Sequence, residues 1–303
     1  MPVALYSHCS CSSKSRKWYF RRFFAIIAVM AGFRGERGGG AIPQDEALKA
    51  SEWNFNAFTA RIGEIYDEHN KDVDYQPDTM FAKLIGNVVT LKKSAAKNPP
   101  QLTDVSDALT RTLAWLSSIA GDAGISLDEV LEEKFGKGCP RCHCIPCNLA
   151  EGRACRKTDA PFQKQPPTPT SIDGWRDHLA RIYPNNYKGV DPARALQNVT
   201  SRLYDEAGEL LSSTHPDIER DQNRVSQHDL AQDDLSPWRG EFADVLAWSL
   251  ATAEALRRIS NNYSFEKSLK ETYKEGCPSC GGSVCICPRE KTVIEALKER
   301  EQP

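Results

Sequence analysis

Carboxylates recur at helical spacing in the second half of this 303-residue chain. Asp205 and Glu209 stand four residues apart and Glu206 and Glu209 three apart, so a helix over 195–211 brings all three to one face. Glu241 and Asp244, three apart, repeat the pattern on a second helical stretch, 241–259, where Phe242, Val245 and Leu246 mark the other side. If the two helices are antiparallel neighbours, five carboxylates face one another and divalent cations must offset their repulsion. Hard oxygen ligands at that density suit Mg²⁺ or Mn²⁺. A DExxE string on its own is most often a solvated helix face. Here the second acidic pair shares its helix with Trp248, has little basic charge beside it, and has no acidic counterpart in the first half.

The 11 cysteines cluster rather than scatter. Cys277-x2-Cys280-x4-Cys285-x-Cys287 offers four thiols beside Gly281-Gly282, which allows the tight turn of a metal knuckle, and tetrahedral thiolate ligation of structural zinc follows. Cys139-x2-Cys142-x-Cys144-x2-Cys147 is the more crowded counterpart, with His143 and Cys155 as substitutes if four thiols cannot close in so short a loop. Reduced surface thiols or adventitious disulfides are the alternative. Neither cluster has a paired base that would make a nucleophilic cysteine. His69, His178, His215 and His228 read as polar surface residues.

One long-period repeat positions both kinds of cluster. Ile65-Tyr66, Leu113-Ala114-Trp115 and Gly138-Cys139-Pro140-x-Cys142 return as Ile182-Tyr183, Leu246-Ala247-Trp248 and Gly276-Cys277-Pro278-x-Cys280. The offsets are 117 at the tyrosines, 133 at the tryptophans and 138 at the first cysteines, so the second copy has grown by about 16 residues between its Tyr and Trp. The periodicity within each copy is helical, as in Phe81, Leu84, Ile85, Val88, Val89 and Leu91, and nothing alternates convincingly with period two. Ser126 and Glu129 form a capping box that opens a last helix over Leu127–Phe135, and Ser264 opens its counterpart ending at Tyr273. Four helices per copy follow, in an all-α chain with room for about two domains. The boundaries are a disordered leader over 1–50, a first repeat over 51–150, a Pro-rich linker over 151–172, a second repeat over 173–288 and a helical tail over 289–303. Basic residues followed by an apolar run at 23–33 imitate a signal peptide but are too short to span a bilayer, and a disordered leader or a start codon placed too early is the preferred explanation, because an exported chain is a poor home for thiolate clusters.

The strings Tyr204-Asp-Glu-Ala-Gly-Glu-Leu210, Gly240-Glu-Phe-Ala-Asp-Val-Leu-Ala-Trp248 and Gly276-Cys-Pro-Ser-Cys280 together resemble the MazG-like nucleotide pyrophosphohydrolases, whose pattern is a helical EExxE followed by ExxD on a later helix. The likeness covers 175–287 and, in degenerate form, 53–147. It departs at Asp205, which replaces the usual first Glu, and at 216–237, an inserted polar loop. The resemblance implies two tandem four-helix bundles forming a pseudo-dimer, each ending in a Cys-rich knuckle. It also implies Mg²⁺ on Glu206, Glu209, Glu241 and Asp244, with Asp205 as a further or outer ligand. Hydrolysis at the α-phosphorus of a nucleoside triphosphate would then have Glu206 or Glu209 orienting the water.

The first copy keeps none of these carboxylates: Asn87 and Thr90 stand opposite Glu206 and Glu209, and Ala108 and Arg111 opposite Glu241 and Asp244. Its role is structural, with Arg111 or Lys134, and also Lys92 or Lys93, as candidates to reach across to a substrate phosphate. A catalytically impaired nucleotide-sensing or interaction module on the same fold is the competing function. With 39 basic against 41 acidic residues, net −2, no footprint for nucleic acid exists, and no stretch calls for a membrane. Thiolate clusters point to the cytoplasm. The pseudo-dimer leaves room for further homo-oligomers.

Overall fold

The computed structural model describes residues 53–70, 77–147, 155, 167–213 and 237–287, all within the unit Ala50–Pro303. The leader, the tail over 289–303, most of the linker, His215, His228 and the greater part of the inserted loop lie outside the described residues.

Eight α-helices account for the regular structure, with no strand among the described residues. The first copy contributes α1 (Phe55–Asn70), α2 (Pro77–Ala95), α3 (Leu102–Asp122) and α4 (Leu127–Phe135). The second contributes α5 (Ile172–Ile182), α6 (Pro192–Ser213), α7 (Pro237–Ile259) and α8 (Phe265–Tyr273), with a 3₁₀ turn at Pro184–Asn186. Local chemistry sets the starts. Asn54 Oδ1 accepts from Ala57 N at 2.7 Å, and the hydroxyls of Ser126, Ser171 and Ser264 each accept an amide three residues on. Pro237 opens α7 earlier than the carboxylate pattern indicates, because a proline lacks only an N–H that the first turn leaves unpaired in any case.

The helices pack reciprocally. Within each copy α2 lies on α3 and α6 on α7; between copies α2 meets its counterpart α6, and α3 its counterpart α7. The last helix of each copy also crosses over, α4 onto α7 and α8 onto α3. One apolar core therefore runs through both copies rather than one in each, joining Phe58, Leu84 and Leu113 to Trp175, Leu203 and Leu246.

Polar contacts obey the same twofold rule. The Arg61 guanidinium of α1 donates to the Tyr273 and Lys274 carbonyls at 3.1 and 2.8 Å, at the end of α8. At the matching place on α5, the His178 Nε2–H donates to the Phe135 carbonyl at 3.0 Å, at the end of α4. His178 is thus fully buried, not a surface residue, and burial lowers its pKa and keeps it neutral. Each cysteine loop binds the opposite first helix: Cys147 N donates to Ile182 O and Cys285 N to Ile65 O, both at 2.7 Å. No helix among the described residues is long and apolar enough to cross a membrane.

A shared core has a measurable consequence. Leu113 and Leu246 occupy equivalent places and are both fully buried. Leu113→Ala and Leu246→Ala should each cost about 3 kcal/mol. Urea unfolding followed by helical circular dichroism should show both variants moving one common transition, not two separable ones.

Candidate metal centres

The acidic centre forms where α6 packs on α7. Leu203, Ala207 and Leu210 of α6 and Phe242, Val245 and Leu246 of α7 are buried between the elements, which leaves Glu206, Glu209, Glu241 and Asp244 along the rim of that contact. One oxygen from each of Glu206, Glu209 and Glu241 lies within 4.8 Å of the others, close enough for a single cation to bridge. Asp244 is near enough to raise the pKa of both Glu206 and Glu241. Asp205 stands apart. It is exposed and lies 4.0 Å from Arg202 on its own helix. Glu206 and Asp205 flank Glu209 on opposite sides of the helix, and α7 lies on the Glu206 side.

Burial, with the charge of Asp244 and Glu209 next, pushes Glu206 and Glu241 each up to about 7, while the Lys134 ammonium pulls in the opposite direction. Glu241 Oε2 is buried with no hydrogen-bond partner. An orphaned carboxylate oxygen beside two further carboxylates is what a divalent cation would satisfy. The first copy supplies the one nearby counter-charge named in these interactions. Lys134, on the last turn of α4 and only 13% exposed, places Nζ 2.6 Å from Asp244 Oδ2 and donates to the Gly240 carbonyl at 3.4 Å. Beside it Arg239, on the first turn of α7, pairs with Glu133 at 2.9 Å and Glu129 at 3.8 Å, so a double ionic clasp holds α4 on the rim. Arg239 lies five residues before Asp244 and could have been read as part of α7 had the start at Pro237 been recognised.

The equivalent rim in the first copy bears no carboxylate. Asn87 and Thr90 donate to the Lys83 and Gly86 carbonyls of their own helix, at 2.8 and 2.9 Å, and Ala108 is buried. Arg111 is exposed on α3 near Tyr273 of α8, and it is not among the groups that act on Glu206 or Glu241. The structure does not bring it to the acidic centre.

The thiols form two sets, and the first differs from the sequence pattern. Cys139, Cys142, Cys147 and Cys155 converge, as do Cys277, Cys280, Cys285 and Cys287, each set with its sulfurs within 4.8 Å of one another. Cys144 is replaced by Cys155 as the fourth thiol. The reason is the turn: Cys139 N donates to the Cys144 carbonyl just as Cys277 N donates to that of Gly282, and His143 takes the left-handed place of Gly281, φ 55° against 71°. Cys144 thus occupies the turn, with its thiol donating to the Cys142 carbonyl at 3.1 Å. At Gly276, φ 140°, a Cβ would lie 2.2 Å from Gly282 O, which fixes glycine at the knuckle's entry.

Sulfur separations of 3.7 Å for Cys139 and Cys155, 3.6 Å for Cys142 and Cys147, and 3.7 Å for Cys277 and Cys287 are far longer than a disulfide. They match the edge of about 3.8 Å that a tetrahedron with 2.3 Å zinc–sulfur bonds requires. Burial first, then neighbouring thiols, pushes Cys155 up to about 11 and Cys287 up to about 12, a cost that a bound cation would reverse. Burial opposes the Cys277 thiolate too, yet the amides of Cys280 and Ser279 and the Tyr66 hydroxyl bring it down to about 6. Tyr66 belongs to the other copy and donates to Cys277 Sγ at 3.6 Å, and Tyr183 is likewise hydrogen-bonded to Cys139. Both sets could hold a metal such as zinc.

No family model matches the chain, and comparison with curated proteins and with solved structures gives no match either.

Two outcomes follow. Because Glu206 and Glu241 hold their protons more tightly folded than unfolded, the stability they contribute is greatest below the ordinary 4.5 and declines as pH rises to about 7. Thermal melts of metal-free protein between about pH 5 and pH 8 should show this decline, and Glu241→Gln should flatten it. Secondly, protein prepared with zinc should carry one ion fewer per chain in Cys155→Ser than in the parent, whereas Cys144→Ser should lose none, as elemental analysis would show.

Proposed function

We propose that this chain is a Mg²⁺-dependent nucleotide pyrophosphohydrolase of the MazG-like kind, with one active centre on α6 and α7 of the second copy and zinc in both thiol clusters. The observation that carries this reading is the convergence of Glu206, Glu209 and Glu241 within 4.8 Å, with Glu206 and Glu241 held near 7 by burial and mutual charge. Such an arrangement destabilises the metal-free protein and so needs a reason to exist.

Glu206, Glu209, Glu241 and Asp244 are the residues that would hold the cation. Once bound, Mg²⁺ supplies charge compensation for the phosphoryl oxygens and the departing pyrophosphate. The chain's own groups do the rest. Glu209, the most exposed of the three converging glutamates, is placed to hold a water from the solvent side. Lys134 brings a positive charge from the other copy to the same rim, where it can exchange Asp244 for a substrate phosphate oxygen. Both copies are then needed for one site, although only one bears carboxylates. A cytoplasmic setting accords with thiols that must stay reduced to bind zinc.

The Lys134–Asp244 pair also favours a second reading. At 2.6 Å it neutralises one ligand internally, as a binding module that never turns over would require. A single assay separates the two. Pyrophosphate release from a panel of nucleoside triphosphates should require Mg²⁺ and should fall at least about a hundredfold in Glu209→Ala and Asp244→Ala, with helical content retained. Asn87→Ala and Thr90→Ala should leave the metal requirement unchanged. Lys134→Met should raise KM more than it lowers kcat. Absence of release from every nucleotide, with nucleotide binding retained, would instead establish the binding module.

A further inference from the structure

The far end of α7 carries a second charged constellation that the acidic centre does not use. Glu254 is 1% exposed, yet it accepts from Arg257 Nε at 2.7 Å, Arg257 Nη2 at 2.9 Å and Arg258 Nε at 2.6 Å, with Arg176 Nε of α5 at 3.7 Å. One buried carboxylate thus gathers three guanidinium groups. Arg176 is further satisfied by Asp173 and Asp177, both at 2.8 Å. Arg257 and Arg258 are not: Nη1 of the first and both Nη of the second have no acceptor among the described residues, and their side chains are 39% and 41% exposed. The Arg258 guanidinium carbon lies over the Tyr187 ring, 4.5 Å from its centroid, a cation–π contact that restrains the side chain.

These groups line a cavity of about 820 Å³, within the range of sites that take small-molecule ligands. Arg181, one turn beyond Arg176 on α5, joins them and has no ion pair among the described residues. The remaining wall is rich in hydroxyls, including Thr168, Thr170 and Ser171 at the N-terminus of α5, an end that itself favours anions. Four guanidinium groups here meet three carboxylates, Glu254, Asp177 and the Asp173 that pairs with Arg176, so a net positive charge remains in a concave site.

The fold does not require this arrangement. At the equivalent place in the first copy, Gly121 stands for Glu254 and Thr59 for Arg176, and the same two helices pack there through Thr59 Cγ2, 3.6 Å from where a Gly121 Cβ would lie. Gly124 and Ile125 replace the two terminal arginines, and Glu64 replaces Arg181. Helix packing is achieved without any of these charges, so they serve something besides packing.

We infer that this cavity is a binding site for a phosphate-bearing small molecule, separate from the carboxylate centre and held by Arg181, Arg257 and Arg258. Guanidinium groups arriving from two helices, with a net positive charge left over, suit an anion with several oxygens such as a phosphate. The cavity is larger than a bare phosphate, which favours a phosphorylated small molecule over the inorganic ion. Glu254 lies ten residues beyond Asp244 on α7, about 15 Å along the helix, so both sites can be filled at once.

The test is calorimetric titration of the full, zinc-loaded chain in buffer free of added divalent cation and of chelator, where the cation-free acidic centre repels phosphate. The probes are inorganic pyrophosphate and a nucleoside diphosphate. Binding of either probe is expected, with tighter binding of the nucleoside diphosphate identifying a phosphorylated small molecule and equal binding identifying free pyrophosphate. Arg181→Gln, an exposed change that disturbs no ion pair among the described residues, should weaken binding roughly tenfold, as should Arg257→Gln. Glu209→Gln should leave it unchanged. Failure of both probes to bind would overturn the assignment, as would binding that survives both arginine substitutions or disappears in Glu209→Gln.

Discussion

Neither copy can satisfy its own backbone, and the rest of the structure depends on that. A helix ends with carbonyls that have no partner in the next turn, and the cysteine loops end with amides that their own copy does not pair. Here the other copy supplies those partners. His178 closes α4 and Arg61 closes α8, while Ile182 O receives Cys147 N and Ile65 O receives Cys285 N. A buried group left unpaired costs about 1–3 kcal/mol, so a separated copy would lose several such contacts together with the shared core. The reciprocity also does chemical work. Closing α4 against α5 sets the last turn of α4 on the rim of α7, and that brings Lys134 to Asp244.

How much of this was legible in the sequence depends on whether the information was local. The ends of α4 and α8 match the serine caps and the Gly-Cys-Pro boundaries because each cap is decided within four residues. The meeting of Glu206, Glu209 and Glu241 was legible as well, since helical spacing fixes a face and the repeat fixes which helices are neighbours. Asp205 was not separable from them, because i+3 and i+4 positions flank a residue on opposite sides and only the location of α7 decides between them. By spacing alone Cys155 is only a substitute beside His143, and the repeat is what singles it out: the offset of 138 that pairs Cys139 with Cys277 also pairs Cys144 with Gly282 and Cys147 with Cys285. Cys144 then falls at a turn glycine and the fourth ligand has to come from elsewhere. His178 carried no local sign of burial. Its partner is a carbonyl, and carbonyls leave no trace in residue types.

The two halves share a frame and differ in charge. The acidic centre, Glu254 and the arginines around it all belong to the second copy, while the matching positions of the first hold Asn87, Thr90, Ala108, Gly121 and Thr59. A twofold assembly of identical subunits cannot discard one of its two sites, because every substitution appears twice. A fused pair can. The first copy keeps the residues that serve its neighbour, Arg61 at α8, Tyr66 at Cys277 and Lys134 at Asp244, and loses those that would serve a site of its own.

This division bears on how the acidic centre titrates. With four carboxylates near the rim and Lys134 close by, the metal-free state relieves repulsion by holding protons on Glu206 and Glu241 up to about 7. A cation entering there must displace those protons, so its apparent affinity rises with pH until both carboxyls are ionised and then levels. Lys134 weakens that dependence, because its ammonium lowers both pKa values and already offsets the charge of Asp244. The lysine thus has opposing effects: it offsets the mutual repulsion of the carboxylates in the folded chain, and it would compete with a cation for Asp244. Its placement on α4 means that the copy without the acidic centre, not the copy that bears it, supplies this counter-charge.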